Sequence, residues 1–160
     1  MNKIKTIGLL ALVIVSASLA VSFTSQTANT CNSVEIRKQA RELFKPDFHY
    51  DASKSTYITF MNKKQFKELE VPLYIGEKYK IVFNTSSLPQ GVDIEVYDKK
   101  YSAGNRTRLY TSKDAEEVKE GVLVFTPEKR MRKMYIDYTI PPTTGEVEKG
   151  CIIVTLGYKI

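Results

Sequence analysis

Hydrophobic residues recur at two different spacings along the chain, and the spacing changes at Pro46. Before it, Ile36, Ala40, Leu43 and Phe44 stand at i, i+4, i+7 and i+8, one stripe of an α-helix, while Arg37, Lys38, Arg41 and Glu42 take the other face. Asn32 is placed to cap that helix, with Glu35 three residues on in the manner of a capping box, and Pro46 ends it. Beyond Pro46 the period falls to two. Residues 48–50 and 56–61 are predicted as strands around a turn at 51–55, and 66–73 as a strand whose Lys and Glu face solvent. Tyr79, Ile81 and Phe83 alternate with Lys80, Val82 and Asn84. Val92, Ile94 and Val96 alternate with Asp93, Glu95 and Tyr97, and Met134, Ile136, Tyr138 and Ile140 with Tyr135, Asp137 and Thr139. Residues 106–111 and 121–126 are shorter strands, and 114–120 reads as a charged loop or short helical turn. The last stretch, 150–160, is apolar on both faces (Ile152, Val154 and Leu156 against Ile153 and Thr155), as a central strand should be.

These are eight or nine short strands separated by turn residues, and few connections are long enough for the helical crossover of a parallel sheet. The expected fold is mainly β: an antiparallel β-sandwich, jelly-roll-like, with one short N-terminal α-helix and a single domain over 31–160.

The first residues change the picture from fold to compartment. Lys3 and Lys5 precede an apolar run over 7–15, and Ala-Val-Ser at 20–22 or Ser-Leu-Ala at 18–20 fits signal cleavage. A signal peptide over 1–22 and a polar leader over 23–30 are expected, the alternative being an uncleaved membrane anchor over 7–23. Ala-Asn-Thr before Cys31 is not a lipid-attachment pattern. Removing Lys3 and Lys5 takes the formal charge from +6 to +4, which permits contact with an anionic surface without demanding nucleic acid. Cys31 and Cys151 are the only cysteines, and in an exported chain they are expected to pair; two buried free thiols are the alternative. Two distant cysteines and one histidine lack the count and spacing of a metal site, and no cofactor is expected.

Four constellations carry possible chemistry. His49 lies between Asp47 and Asp51, which on a strand would share its face as an acid–base cluster; no nucleophile or oxyanion donor accompanies them, so a solvated strand face is the plainer reading. Asp93 and Glu95 form a carboxylate pair of the kind that serves glycoside hydrolysis or calcium binding, or else the wet side of a sheet. Lys129, Arg130, Arg132 and Lys133, with Arg106 and Arg108 in reach, could take an acidic polysaccharide, lipopolysaccharide phosphates or nucleic acid, or could be a charged turn. Aromatic residues that would stack bases are sparse there, so nucleic acid is not expected. Asn84-Thr85-Ser86 and Asn105-Arg106-Thr107 match the N-glycosylation triplet, which the bacterial character of the Lys-rich signal discounts.

The segments 73–83 (LYIGEKYKIVF), 92–98 (VDIEVYD), 121–127 (GVLVFTP), 134–141 (MYIDYTIP) and 150–159 (GCIIVTLGYK) resemble a group of small exported proteins of Bacteroidota. In that group an early cysteine and a G-C-hydrophobic-G-[FY]-K ending bracket a β-sandwich. The resemblance spans nearly all of 31–160 and carries over no catalytic residues. Val96-Tyr97-Asp98, Phe125 and Met134-Tyr135-Ile136 are also similar to bacterial pre-peptidase C-terminal domains, with Lys133-Met134-Tyr135 in place of their Gly-x-Tyr-Tyr. The expected function is therefore an exported, non-enzymatic protein, periplasmic, outer-membrane-associated or secreted, that binds an envelope protein or polysaccharide. The alternatives are a hydrolase of envelope polymers acting through Asp93/Glu95 or His49, and a structural protein held by an uncleaved N-terminal helix.

Overall fold

A computed structural model describes residues 31–115 and 117–160; the expected signal and leader lie outside them. Helix α1 (Ser33–Glu42) is followed by β1 (His49–Phe60), β2 (Gln65–Pro72), β3 (Lys78–Asn84), β4 (Asp93–Tyr97) and β5 (Arg108–Thr111). A single 3-10 turn (Ser112–Asp114) leads to β6 (Glu117–Lys119), β7 (Val122–Phe125), β8 (Lys133–Ile140) and β9 (Glu148–Lys159).

The strands form two antiparallel sheets, in the orders β1-β9-β3-β7-β6 and β2-β8-β4-β5. With the short β6 set aside, the pairs nest: β1 with β9, β2 with β8, β3 with β7 and β4 with β5. A chain that doubles back once as a long ribbon and is then rolled over itself has this pairing, which is the jelly-roll sandwich. The alternation of the sequence supplies the core. Ile81, Phe83, Ile94, Val96, Ile136 and Tyr138 all point between the sheets and are buried, and the Phe83 and Tyr110 rings stack at 5.5 Å.

Strand β9 lies between β1 and β3 and pairs with both, as its apolar character on two faces requires. Ile152, Val154 and Leu156 face the core, whereas Cys151 and Ile153 face outward and are covered by α1. The helix therefore lies over the outer face of the five-stranded sheet, not across one end of the sandwich. Ile36 packs on Cys151 and Ile153, and Ala40 and Phe44 pack on Val82 and Val122. The Phe44 ring sits so close over Gly157 that a Cβ there would come within 2.7 Å of it. Asn32 caps the helix by accepting from Glu35 N at 3.3 Å, and at the other end Lys80 Nζ donates to Leu43 O at 3.2 Å. Cys31 and Cys151 are disulfide-bonded, with Cα atoms 6.0 Å apart and a separation of 120 residues. Closing a loop of that length is worth about 4–5 kcal/mol in the chain-entropy model.

Two segments differ from expectation. The predicted turn at 51–55 is the middle of β1, which runs unbroken along β9 with one bulge at Asp51. The bulge absorbs the break in alternation that resembles a turn in the sequence, and Ser53 Oγ donates to Thr155 Oγ1 across the pair at 3.2 Å. Within the charged stretch 114–120, Glu117–Lys119 forms a hairpin with β7, so a segment with no apolar alternation becomes an edge strand through pairing alone.

The long edge strands β1 and β2 face one another along one side of the sandwich and are laced together. Gln65 Nε2 donates to Thr59 O at 2.8 Å, Lys67 Nζ to Tyr57 O at 2.6 Å and Lys54 Nζ to Glu70 O at 3.3 Å. These bonds occupy edge carbonyls that would otherwise invite another strand.

Candidate functional site

The site that the tertiary structure builds is a cleft on the helix-bearing face, of about 560 Å³, between α1, the β3–β4 loop and the β6–β7 turn. That volume lies inside the range of about 300–1,000 Å³ typical of pre-formed small-ligand sites. Gln39 of α1 stands on one side, Ser86, Leu88, Gln90 and Gly91 on another, and Lys119 and Glu120 on the third; Asn84 and Val122 also line it. A second hollow of about 220 Å³, lined by Ala40, Leu43 and Val82, continues it along the helix and shares Gln39, Asn84, Lys119 and Val122.

One wall is tied down by hydrogen bonds. Buried Asn84 accepts from Ser86 N at 3.2 Å and from Ser86 Oγ at 2.7 Å, so the turn after β3 closes on its own side chain. Thr85 N and Oγ1 both donate to Gly121 O, at 2.7 and 3.2 Å, which ties that turn to the β6–β7 turn. Two glycines allow the approach. A Cβ at Gly121, whose φ is +67°, would meet Ser86 N at 2.8 Å, and one at Gly150 would meet Ser87 O in a severe overlap. By contrast, a Cβ at Gly91 would meet nothing within 4 Å, so that position opens onto free space. Gln90 Nε2 is buried with no hydrogen-bond partner, which costs about 1–3 kcal/mol wherever it persists.

Sequence reasoning passes over this cleft. Residues 87–91 read only as a turn, and Gly121 and Gly150 as strand boundaries; that they clamp one loop from two sides depends on contacts between segments far apart in sequence. The one signal available is the density of Asn, Ser, Gln and Gly over 84–91.

The sequence-predicted residues lie elsewhere. Asp93 and Glu95 do share the outer face of the four-stranded sheet, but Asp93 is 3.0 Å from Lys113 Nζ, and Glu95 is 2.9 Å from Arg108 Nη1 and accepts from Tyr97 OH at 3.1 Å. The hydrogen bond to Asp93 raises the Lys113 pKa, and burial followed by the Glu95 hydrogen bond raises that of Tyr97. Glu95 also belongs to a row of carboxylates that runs in register across three strands, Glu68 beside Asp137 beside Glu95. Asp137 is buried, which raises its pKa against the pull of Arg106, whose Nη1 stands 2.6 Å from it. The Arg106 guanidinium rests over the Tyr97 ring at 3.6 Å and the Tyr101 ring at 4.8 Å. The β4–β5 loop is thereby fastened over the sheet, and Tyr101 N donates to Glu68.

His49, Asp47 and Asp51 do not form one row. Asp47 lies in the turn before β1 at 3.4 Å from Lys159 Nζ, Asp51 is the bulged residue and accepts from Tyr79 OH at 3.2 Å, and His49 lies beside the Tyr158 ring. The basic residues are divided too. Lys133 is 3.0 Å from Glu70, and Arg106 is engaged with Asp137. Lys129 and Arg130 line a crevice of about 220 Å³ with Lys78 and Glu77, and Lys129 lines another, of about 330 Å³, with Arg108 and Glu128, so the charge there is mixed. Arg132 is exposed and contributes its backbone carbonyl to Leu73 N. Of the two glycosylation triplets, Asn84 is buried and Asn105 is exposed on the β4–β5 loop. Among the described residues no group of three or more His, Cys, Asp or Glu is placed to hold a metal ion, and no helix is long and apolar enough to cross a membrane.

No model of a known protein family matches the chain, and neither does any curated protein.

Proposed function

We propose that this chain is an exported, non-enzymatic β-sandwich that binds a component of the cell envelope, and that the cleft between α1, the β3–β4 loop and the β6–β7 turn is where it binds. The observation that carries the reading is the cleft walled by glycine-enabled contacts on a disulfide-locked sandwich. Pre-organised walls lower the ordering cost of binding. The disulfide supports an oxidising compartment, and the resemblance to small exported Bacteroidota proteins points to the same place. The carboxylates Asp93 and Glu95, each held by a cation, serve the sheet in this reading.

The test is retention of the purified protein on isolated cell-wall and outer-membrane fractions. Gly91 lines the cleft and a Cβ there meets nothing within 4 Å, so Gly91→Trp adds an indole at the lining without a clash at Cβ. Wild type is expected to be retained and G91W to bind about tenfold more weakly. No retention of wild type, or equal retention of the two, overturns the proposal.

A further inference from the structure

From the chemistry of its lining, we infer that the cleft takes an uncharged, hydroxyl-rich ligand, a saccharide unit; this rests on the reading that the cleft is the binding site. The groups presented are the side-chain amides of Gln39, Asn84 and Gln90 and the hydroxyl of Ser86. Gln39 can both donate and accept, and with Asn84 Oδ1 already accepting from Ser86 N and Oγ, Asn84 Nδ2 is left to donate and Ser86 Oγ to accept, so vicinal hydroxyls can be satisfied in either sense. One cation and one anion, Lys119 and Glu120, complete the polar lining, and their formal charges cancel. A net anion or cation would therefore find no excess of opposite charge in the lining. Val122 and Leu88, with Ala40 and Val82 in the adjoining hollow, offer apolar surface for the C–H faces of a ring.

A peptide is the less suited guest. Strand recognition uses a free sheet edge, whereas the cleft lies chiefly over the face of paired β3 and β7, Asn84 opposite Val122, and the edge strand β6 reaches it only through Lys119. No aromatic ring is among the lining residues, so the affinity rests on hydrogen bonds and is expected in the millimolar range for a short saccharide.

The experiment is a ¹⁵N-resolved NMR titration of the intact, oxidised protein. The probes are gluco-, N-acetylgluco-, manno- and galacto-configured di- and trisaccharides at millimolar concentration, with trialanine and inorganic phosphate as controls. The expected result is movement of the Gln39, Asn84 and Gln90 side-chain amide signals and of the Ser86 backbone amide with at least one saccharide. The movement is lost in G91W, and neither control reproduces it. If no saccharide moves these signals while retention on envelope material stays sensitive to G91W, the saccharide class is wrong and the cleft reading stands. Movement by trialanine or phosphate instead overturns the inference, and absence of both retention and movement overturns the inference together with the reading beneath it.

Discussion

The two outward faces of the sandwich solve one problem in opposite ways. Each sheet buries one face against the other and must still do something with its second face. On the five-stranded sheet the outward positions of β3, β7 and β9 include Val82, Val122, Cys151 and Ile153, too apolar to leave wet, and α1 covers them. On the four-stranded sheet the outward positions include Asp93, Glu95, Glu68 and Asp137, and no helix is needed. Like charges in register repel. Arg106, Arg108 and Lys113 answer them from the β4–β5 loop, β5 and the 3-10 turn. Helix cover leaves a cleft at its margin, where a curved helix flank meets a flat sheet; side-chain pairing leaves a closed surface. The charged face, which attracts notice in the sequence, is the one whose carboxylates are paired or hydrogen-bonded within the protein, Asp137 Oδ1 alone among them being buried without a partner.

The largest expected effect breaks the covered face. Phe44→Ala removes a buried ring from above Gly157 and should cost about 3–5 kcal/mol in urea unfolding. If the helix were a loose appendage, the loss would be far smaller. Next is the disulfide: Cys31→Ser/Cys151→Ser should cost about 2–5 kcal/mol, seen as a lower urea midpoint. On the charged face, Arg106→Ala leaves Asp137 buried without its cation and should cost about 1–3 kcal/mol, partly recovered in R106A/D137N. Arg108→Ala, at a more exposed pair, should cost about 0.2–1 kcal/mol and less in high salt. That ratio sharpens the contrast between one buried latch and its solvated neighbours. The smallest effect is alkaline. Burial, opposed by the Tyr74 N–H bond and helped by the Asp51 carboxylate beside it, pushes the Tyr79 phenol up to about 12 from 10.0. A raised folded pKa stabilises below the unfolded value and is lost as pH rises, so this contribution is intact below pH 10 and fades between 10 and 12. Tyr79→Phe should flatten that limb of the stability curve and remove one late-titrating phenol from the ultraviolet titration.

Most elements are legible because local rules settle them. The i, i+4, i+7, i+8 stripe makes α1, and strict alternation makes β3, β4 and β8. The double-sided apolar run of β9 places it inside a sheet with no knowledge of its partners. The misreadings, a turn within β1 and a loop at β6, fall on edge strands, where pairing with β9 or β7 outweighs weak local preference.

By itself, then, the sequence determines the class of fold and which residues of the regular strands face inward, since periodicity is a property of neighbours along the chain. The tertiary structure alone decides that the helix lies on a face, that Glu68, Asp137 and Glu95 meet in one row, and that Gly121 and Gly150 clamp the 84–91 loop into the wall of a cleft. Those arrangements join residues tens of positions apart, and the forces that select among them, close approach, desolvation and charge pairing, act only once the sheets have closed.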